Sequence, residues 1–130
     1  MNNEEIQYQI AILQKQINLD TNKTKILFCL PESAGDIFLA TSLLPQLKKL
    51  YDPCDIYFGC YKQYHDILNN NPYIYKTIDY LPIMDNQLIM EGAGEWSGLF
   101  DISIFASTLT QRHMNYLNNG KTKSMFEFKV

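Results

Sequence analysis

A carboxylate that follows three small residues at the start of a helical pattern is the feature of this sequence best placed for chemistry. Ser33-Ala34-Gly35-Asp36 stands between an apolar run over residues 25–31 and a helical period that opens at Ile37. Two roles are open to Asp36. It is a good N-cap, because its oxygen can accept the orphan N–H groups of a first helical turn. In a crevice it can instead accept the proton of a hydroxyl nucleophile. Gly35 is the only glycine of the turn, so the three-glycine dinucleotide fingerprint fails. Asp36 stands where a phosphate loop needs Lys, which excludes that motif too. A helix start binds anions through free N–H groups, but Asp36 is itself an anion there and opposes a bound phosphate.

The other candidates depend on the same end of the fold. Ser107 ends a largely apolar run over residues 100–107, Thr108 follows it, and Arg112 comes soon after. Ser33, Ser107 and Thr108 have no base beside them in the sequence, so a nucleophilic triad is not argued. Arg112 opens a basic tail: five acids and no Lys or Arg lie between Thr77 and Gln111, namely Asp79, Asp85, Glu91, Glu95 and Asp101. An arginine so placed either meets an anionic group in the crevice or sits on a solvated surface. His65 and His113 have no partner at metal-ligand spacing, and His65-Asp66 alone makes no metal site. His65 is expected at the surface. Cys29, Cys54 and Cys60 are odd in number and not spaced for a metal, and are expected to be reduced structural thiols in a cytoplasmic protein.

The elements that must position these residues follow from hydrophobic period. Residues 25–31 are nearly all apolar, as in a strand buried on both faces of a parallel sheet. A helix is expected over residues 37–51, kinked at Pro45 and ending in Lys48-Lys49, where cations suit the dipole. Strand 55–60, short helix 61–68, strand 75–80, a helical turn or two within 84–90, strand 100–107, helix 109–117 and a fifth strand within 121–130 complete the alternation. Alternating strands and helices predict an open, mostly parallel α/β sheet of about five strands with right-handed crossovers. For strand order 3-2-1-4-5 the ligand crevice lies at the carboxyl ends of strands one and four. Residues 31–36 and 106–112 meet there.

Ahead of this unit, Ile6, Ile10, Leu13 and Ile17 form an apolar stripe on an amphipathic helix expected over residues 1–20, joined by a linker over 21–24 to the α/β domain of 25–130. The stripe serves either to dock the helix on its own domain or to contact a partner helix in a homo-oligomer. Composition narrows the rest. The 130 residues, 46% hydrophobic and 19% charged, suit one domain with a real core. A net charge of −3 gives no electrostatic footprint for nucleic acid. No apolar run reaches the ~20 residues of a membrane span, and Met1-Asn2-Asn3-Glu4-Glu5 lacks a secretory n-region.

The stretch from Ile26 through Ser33-Ala34-Gly35-Asp36-Ile37-Phe38-Leu39-Ala40-Thr41 to Leu47 resembles family 9 glycosyltransferases, the ADP-heptose–lipopolysaccharide heptosyltransferases. That family opens with an apolar strand, a small-residue loop ending in Gly-Asp, and a helix with an Ala-Thr-like step. The resemblance continues through Asp55 to Gly59, Asn71-Pro72-Tyr73-Ile74 and Phe100-Asp101-Ile102-Ser103-Ile104, in order and in spacing. It implies half of a two-domain GT-B fold: a Rossmann-like, acceptor-side domain. It also implies that Asp36 is the general base for an acceptor hydroxyl, with Ser33, Ala34 and Gly35 in the loop that shapes the acceptor side. Phe105 and Ser107 stand where the family often has an acid and a glutamine. No cofactor is implied; a nucleotide sugar is the donor substrate if a second domain supplies its site. The length expects an acceptor half that is inactive alone and completed by a donor-domain protein or larger assembly. The reading from another class is a non-catalytic interaction module that oligomerises or binds a partner or glycan.

Overall fold

The computed structural model describes residues 2–92 and 98–106. Its centre is a four-stranded parallel sheet in the order β3-β2-β1-β4, with β1 Thr24–Cys29, β2 Cys54–Cys60, β3 Lys76–Asp79 and β4 Ile102–Phe105. This is the expected order as far as strand four. The expected helix 109–117 and fifth strand, with Ser107, Thr108 and Arg112, lie outside the described residues. Register is parallel throughout, with Phe28 level with Phe58 on β2 and with Ile104 on β4.

Strand alternation sends the apolar run of β1 into two cores. Ile26, Phe28 and Leu30 join Ile56, Phe58, Cys60 and the helical residues Ile37, Ala40 and Leu44 on one face. Leu27 and Cys29 join Tyr57, Ile78, Met84, Met90, Phe100 and Phe105 on the other. Phe28 and Phe58 stack with ring centroids 5.3 Å apart. Gly59 lets the second face close, because a Cβ there would meet Met84 Sδ at 2.8 Å.

The first face is covered by α2 (Ala34–Ala40), α3 (Leu44–Leu50) and a 3-10 helix, Lys62–Leu68. The single helix expected over 37–51 is therefore divided. A 3-10 turn, Thr41–Leu43, separates the halves, and Pro45 lies in the first turn of α3 rather than at a mid-helix kink. Proline has no N–H to return to Thr41, so it suits a helix start. The hydroxyls of Thr41 and Ser42 donate to the carbonyls of Phe38 and Leu39, which favours the tighter turn.

The second face is covered by α1 (Asn3–Gln14), a 3-10 turn Pro82–Asp85 and the five-residue α4, Gln87–Glu91. So short a crossover leaves sheet uncovered, and the N-terminal stripe fills the gap. Leu13 and Ile17 are fully or almost fully buried there, with Ile6 and Ile10 packed beside them. Asn2 caps α1 by accepting from Glu5 N–H, and Gln9 accepts from Ile83 N–H at 2.8 Å. Tyr57 Oη accepts the N–H of Asn18, and Lys76 donates to the Gln16 carbonyl, which fastens the chain as it leaves the helix. The stripe is thus taken up by the chain's own core, and α1 is shorter than the expected 1–20. No helix among the described residues is long and apolar enough to cross a membrane.

Candidate functional site

The order β3-β2-β1-β4 puts a change of winding direction between β1 and β4, and their carboxyl ends adjoin: Ala106 N–H donates to Cys29 O at 2.9 Å. The turn leaving β1 is anchored on the opposite side as well. Leu30 N–H donates to Gly59 O, and Pro31 O accepts from Tyr61 N–H at 2.8 Å. Ties on both flanks fix where the chain emerges, at the end of the sheet where ligands of open α/β folds collect.

Ser33 then takes φ 81° and ψ 107°, a backbone conformation that favours glycine and strains a residue with a Cβ. The helix begins at once. Ser33 is the N-cap residue of α2; its carbonyl accepts from Ile37 N–H, and its side chain makes no capping bond. This corrects two expectations. Asp36 is not the N-cap but lies in the first turn, and Ala34 and Gly35 belong to the helix and not to a loop. The sequence suggested a later start because Ile37 is the first apolar residue of the period, whereas the backbone reversal at Ser33 sets the boundary. Asp36 is half-buried, beside the buried Ile37, at the dipole end that favours a carboxylate. Ala34, Gly35, Phe38 and Leu39 form the exposed side of α2. A Cβ on Gly35 would meet nothing within 4 Å, so neither packing nor backbone requires glycine there.

The structure adds residues that the sequence did not single out. His65, expected at the surface, is half-buried, with Nε2 3.3 Å from Asp79 Oδ1 and 3.2 Å from Cys60 O. Both neighbours of that nitrogen are acceptors, so Nε2 is placed to donate to them. Parallel pairing of β2 with β3 makes this contact by setting Asp79 level with Cys60. A residue 14 positions away in sequence gave no local signal. Beside it, the Tyr61 and Tyr80 rings meet edge to face at 5.3 Å, and Tyr80 donates to Asp85 at 2.7 Å. Burial and that bond to Asp85 hold the Tyr80 hydroxyl well above its ordinary range. Burial pushes the Cys60 thiol up to about 12, with the Asp79 charge adding to it. Cys60 is therefore no thiolate nucleophile at neutral pH. Cys29 and Cys54 are likewise buried and form no disulfide.

The acid-rich stretch has a structural use. Asp79 pairs with His65, Asp85 accepts from Tyr80, Glu91 accepts from Ser103 N–H, and Asp101 accepts from Lys25 N–H. Glu95 lies outside the described residues. No group of three or more His, Cys, Asp or Glu side chains able to hold a metal ion is found among the described residues.

Of the sequence-predicted site residues, Ser33, Ala34, Gly35 and Asp36 are thus gathered at the carboxyl end of β1. Comparisons with protein-family models, curated proteins and solved structures return no match.

Proposed function

We propose that this chain is a Rossmann-like, acceptor-side glycosyltransferase domain of the heptosyltransferase kind, with Asp36 as its general base. In that role the Asp36 carboxylate takes the proton of an acceptor hydroxyl as its oxygen bonds to the anomeric carbon of a nucleotide sugar. The bond to the nucleoside diphosphate breaks, and configuration inverts. A donor-side domain supplies the nucleotide-sugar site, and the reaction belongs to the cytoplasmic face of lipopolysaccharide core assembly.

The observation that carries this reading is the strained turn at Ser33. A non-glycine residue at φ 81° directly precedes the first helical turn that holds Asp36, at the carboxyl end of the central strand. Strain of this kind costs about 1–3 kcal/mol and collects where ligands are held. Support comes also from Gly35, whose open surroundings leave space for a ligand beside the carboxylate.

The test is titration of the chain with a heptose-bearing core oligosaccharide, followed by backbone amide shifts, and transfer assays with a donor-domain protein added. Shifts are expected over residues 31–37. Asp36→Asn is expected to cut transfer by about 10²–10⁴-fold while leaving the thermal midpoint almost unmoved. A loss of about 1 kcal/mol in stability, with no sugar bound by either form, would instead make Asp36 a structural residue of the helix start.

A further inference from the structure

Tyr61 is held from two sides and still stands 43% exposed. It follows the last residue of β2, and its N–H donates to the Pro31 carbonyl at 2.8 Å, which ties it to the turn that strains Ser33 two residues later. Its ring rests against Tyr80, edge to face at 5.3 Å. Tyr80 follows the last residue of β3; its N–H donates to Cys60 O at 2.9 Å and its hydroxyl to Asp85 at 2.7 Å. Asp85 belongs to the 3-10 turn whose Ile83 and Met84 are buried in the core. The supports of the Tyr61 ring are thus anchored in the sheet and in the core beneath it. A side chain fixed beforehand gives up little freedom when a ligand arrives. Because β2 pairs with β1, Tyr61 lies at the same carboxyl edge of the sheet as the turn that leads to Asp36, one strand spacing from β1.

We infer that the exposed part of the Tyr61 ring is a stacking platform for a pyranose ring of the acceptor, beside the turn that holds Asp36. The inference rests on the glycosyltransferase reading of that turn and adds to it the residue that orients the sugar. The ligand class follows from the chemistry around the ring. The face of an aromatic ring is its negative side and attracts polarised C–H groups. A pyranose offers such C–H groups on one face and sets its hydroxyls around the rim. Carboxylates accept from hydroxyls, and two stand next to the supports of Tyr61: Glu32 follows Pro31 and Asp79 precedes Tyr80, both exposed. With Asp36 they outnumber Lys62, the exposed cation that follows Tyr61. That balance opposes a phosphate-bearing base at the same ring and accepts a neutral sugar. An oligosaccharide extends beyond the ring that reacts, so Tyr61 binds and orients while Asp36 takes the proton.

The experiment titrates the full chain with a heptose-bearing core oligosaccharide that carries no phosphate, and follows the sugar protons by magnetic resonance. Wild type and Tyr61→Phe are expected to bind alike, with the C–H protons of one sugar ring shifted upfield by the aromatic face. Tyr61→Ala and Tyr61→Leu are expected to bind about tenfold more weakly and to lose that shift. Tyr61→Leu keeps an apolar contact for Tyr80, so its result decides alone if Tyr61→Ala loses its cooperative melt. Equal affinity in wild type and Tyr61→Leu overturns the platform and leaves the reading of Asp36 standing. A wild-type chain that binds no oligosaccharide overturns that reading, and the platform with it. Binding of a nucleoside diphosphate alone, weakened by Tyr61→Leu while oligosaccharide binding is not, overturns the assignment of the ring to a sugar.

Discussion

The turn after β1 and the crossover from β3 to β4 sit on opposite faces of one sheet and are built on opposite principles. In the crossover, polar groups are paired off in sequence: Tyr80 on Asp85, Ile83 N–H on Gln9, Ser103 on Gln87 and Glu91, Lys25 N–H on Asp101. In the turn, Ser33 holds a strained backbone with no capping bond from its side chain, and the helix that follows shows an exposed face of Ala34, Gly35, Phe38 and Leu39. A segment whose hydrogen bonds close on themselves is accounted for by stability. One that accepts strain next to a carboxylate calls for another account, and this contrast supports the proposed acceptor site. Asp36 is one acid among fourteen; what sets it apart is its place in the first turn of α2, directly after the strained Ser33.

The largest effect that would sharpen the contrast comes from raising the pH. Burial raises the thiols of Cys54 and Cys60 and the hydroxyls of Tyr57 and Tyr80, with Asp85 adding to the shift at Tyr80. The folded chain keeps these protons where the unfolded chain releases them. Stability is therefore full below the ordinary thiol value of 9.0 and falls as pH climbs towards the Cys60 value of about 12. Thermal midpoints measured from neutral pH to about pH 11 should drop steadily above about pH 9. Tyr80→Phe should flatten part of that fall. A flat profile would mean that these groups are as free in the fold as in the unfolded chain.

A smaller effect tests the turn itself. Ser33→Gly removes a side chain from a backbone region that glycine enters freely, and should stabilise the chain by about 1 kcal/mol after the added entropy of the unfolded glycine. Denaturant midpoints with an unchanged slope would measure it. A loss instead would show that the Ser33 side chain does more for folding than its strained backbone takes away.

What the sequence made legible follows from the range of each signal. Apolar runs and helical periods are local, so β1, β2 and the alternation of strand and helix were readable, whereas the order 3-2-1-4 is a long-range property that was assumed to place the crevice and is seen only in the sheet. The docking stripe of α1 was readable for the same reason, in the spacing of Ile6, Ile10, Leu13 and Ile17. The start of α2 was not, because it is set by one dihedral at Ser33 that a serine does not advertise. His65 with Asp79, and Ser103 with Gln87 and Glu91, were invisible because each needs two elements to be adjacent first. The charge pattern was read correctly as a pattern, but its use as a set of backbone and side-chain acceptors appears only once β4 is level with α4.

The smallest effect is the most discriminating for function. Gly35 lies in the first turn of α2 with nothing within 4 Å of where a Cβ would stand. Glycine in a helix is worse than alanine by up to about 1 kcal/mol, less near an end, so Gly35→Ala should stabilise the fold by about half a kcal/mol. If glycine is there by chance, sugar binding is unaffected by the change. If the open space is the floor of an acceptor site, the added methyl group stands where the ligand must approach. The variant then melts higher and binds the core oligosaccharide more weakly. Those two movements in opposite directions are something a purely structural turn would not produce. Parallel melts and titrations of Gly35→Ala and Ser33→Gly would thus separate strain kept for a ligand from strain without a use.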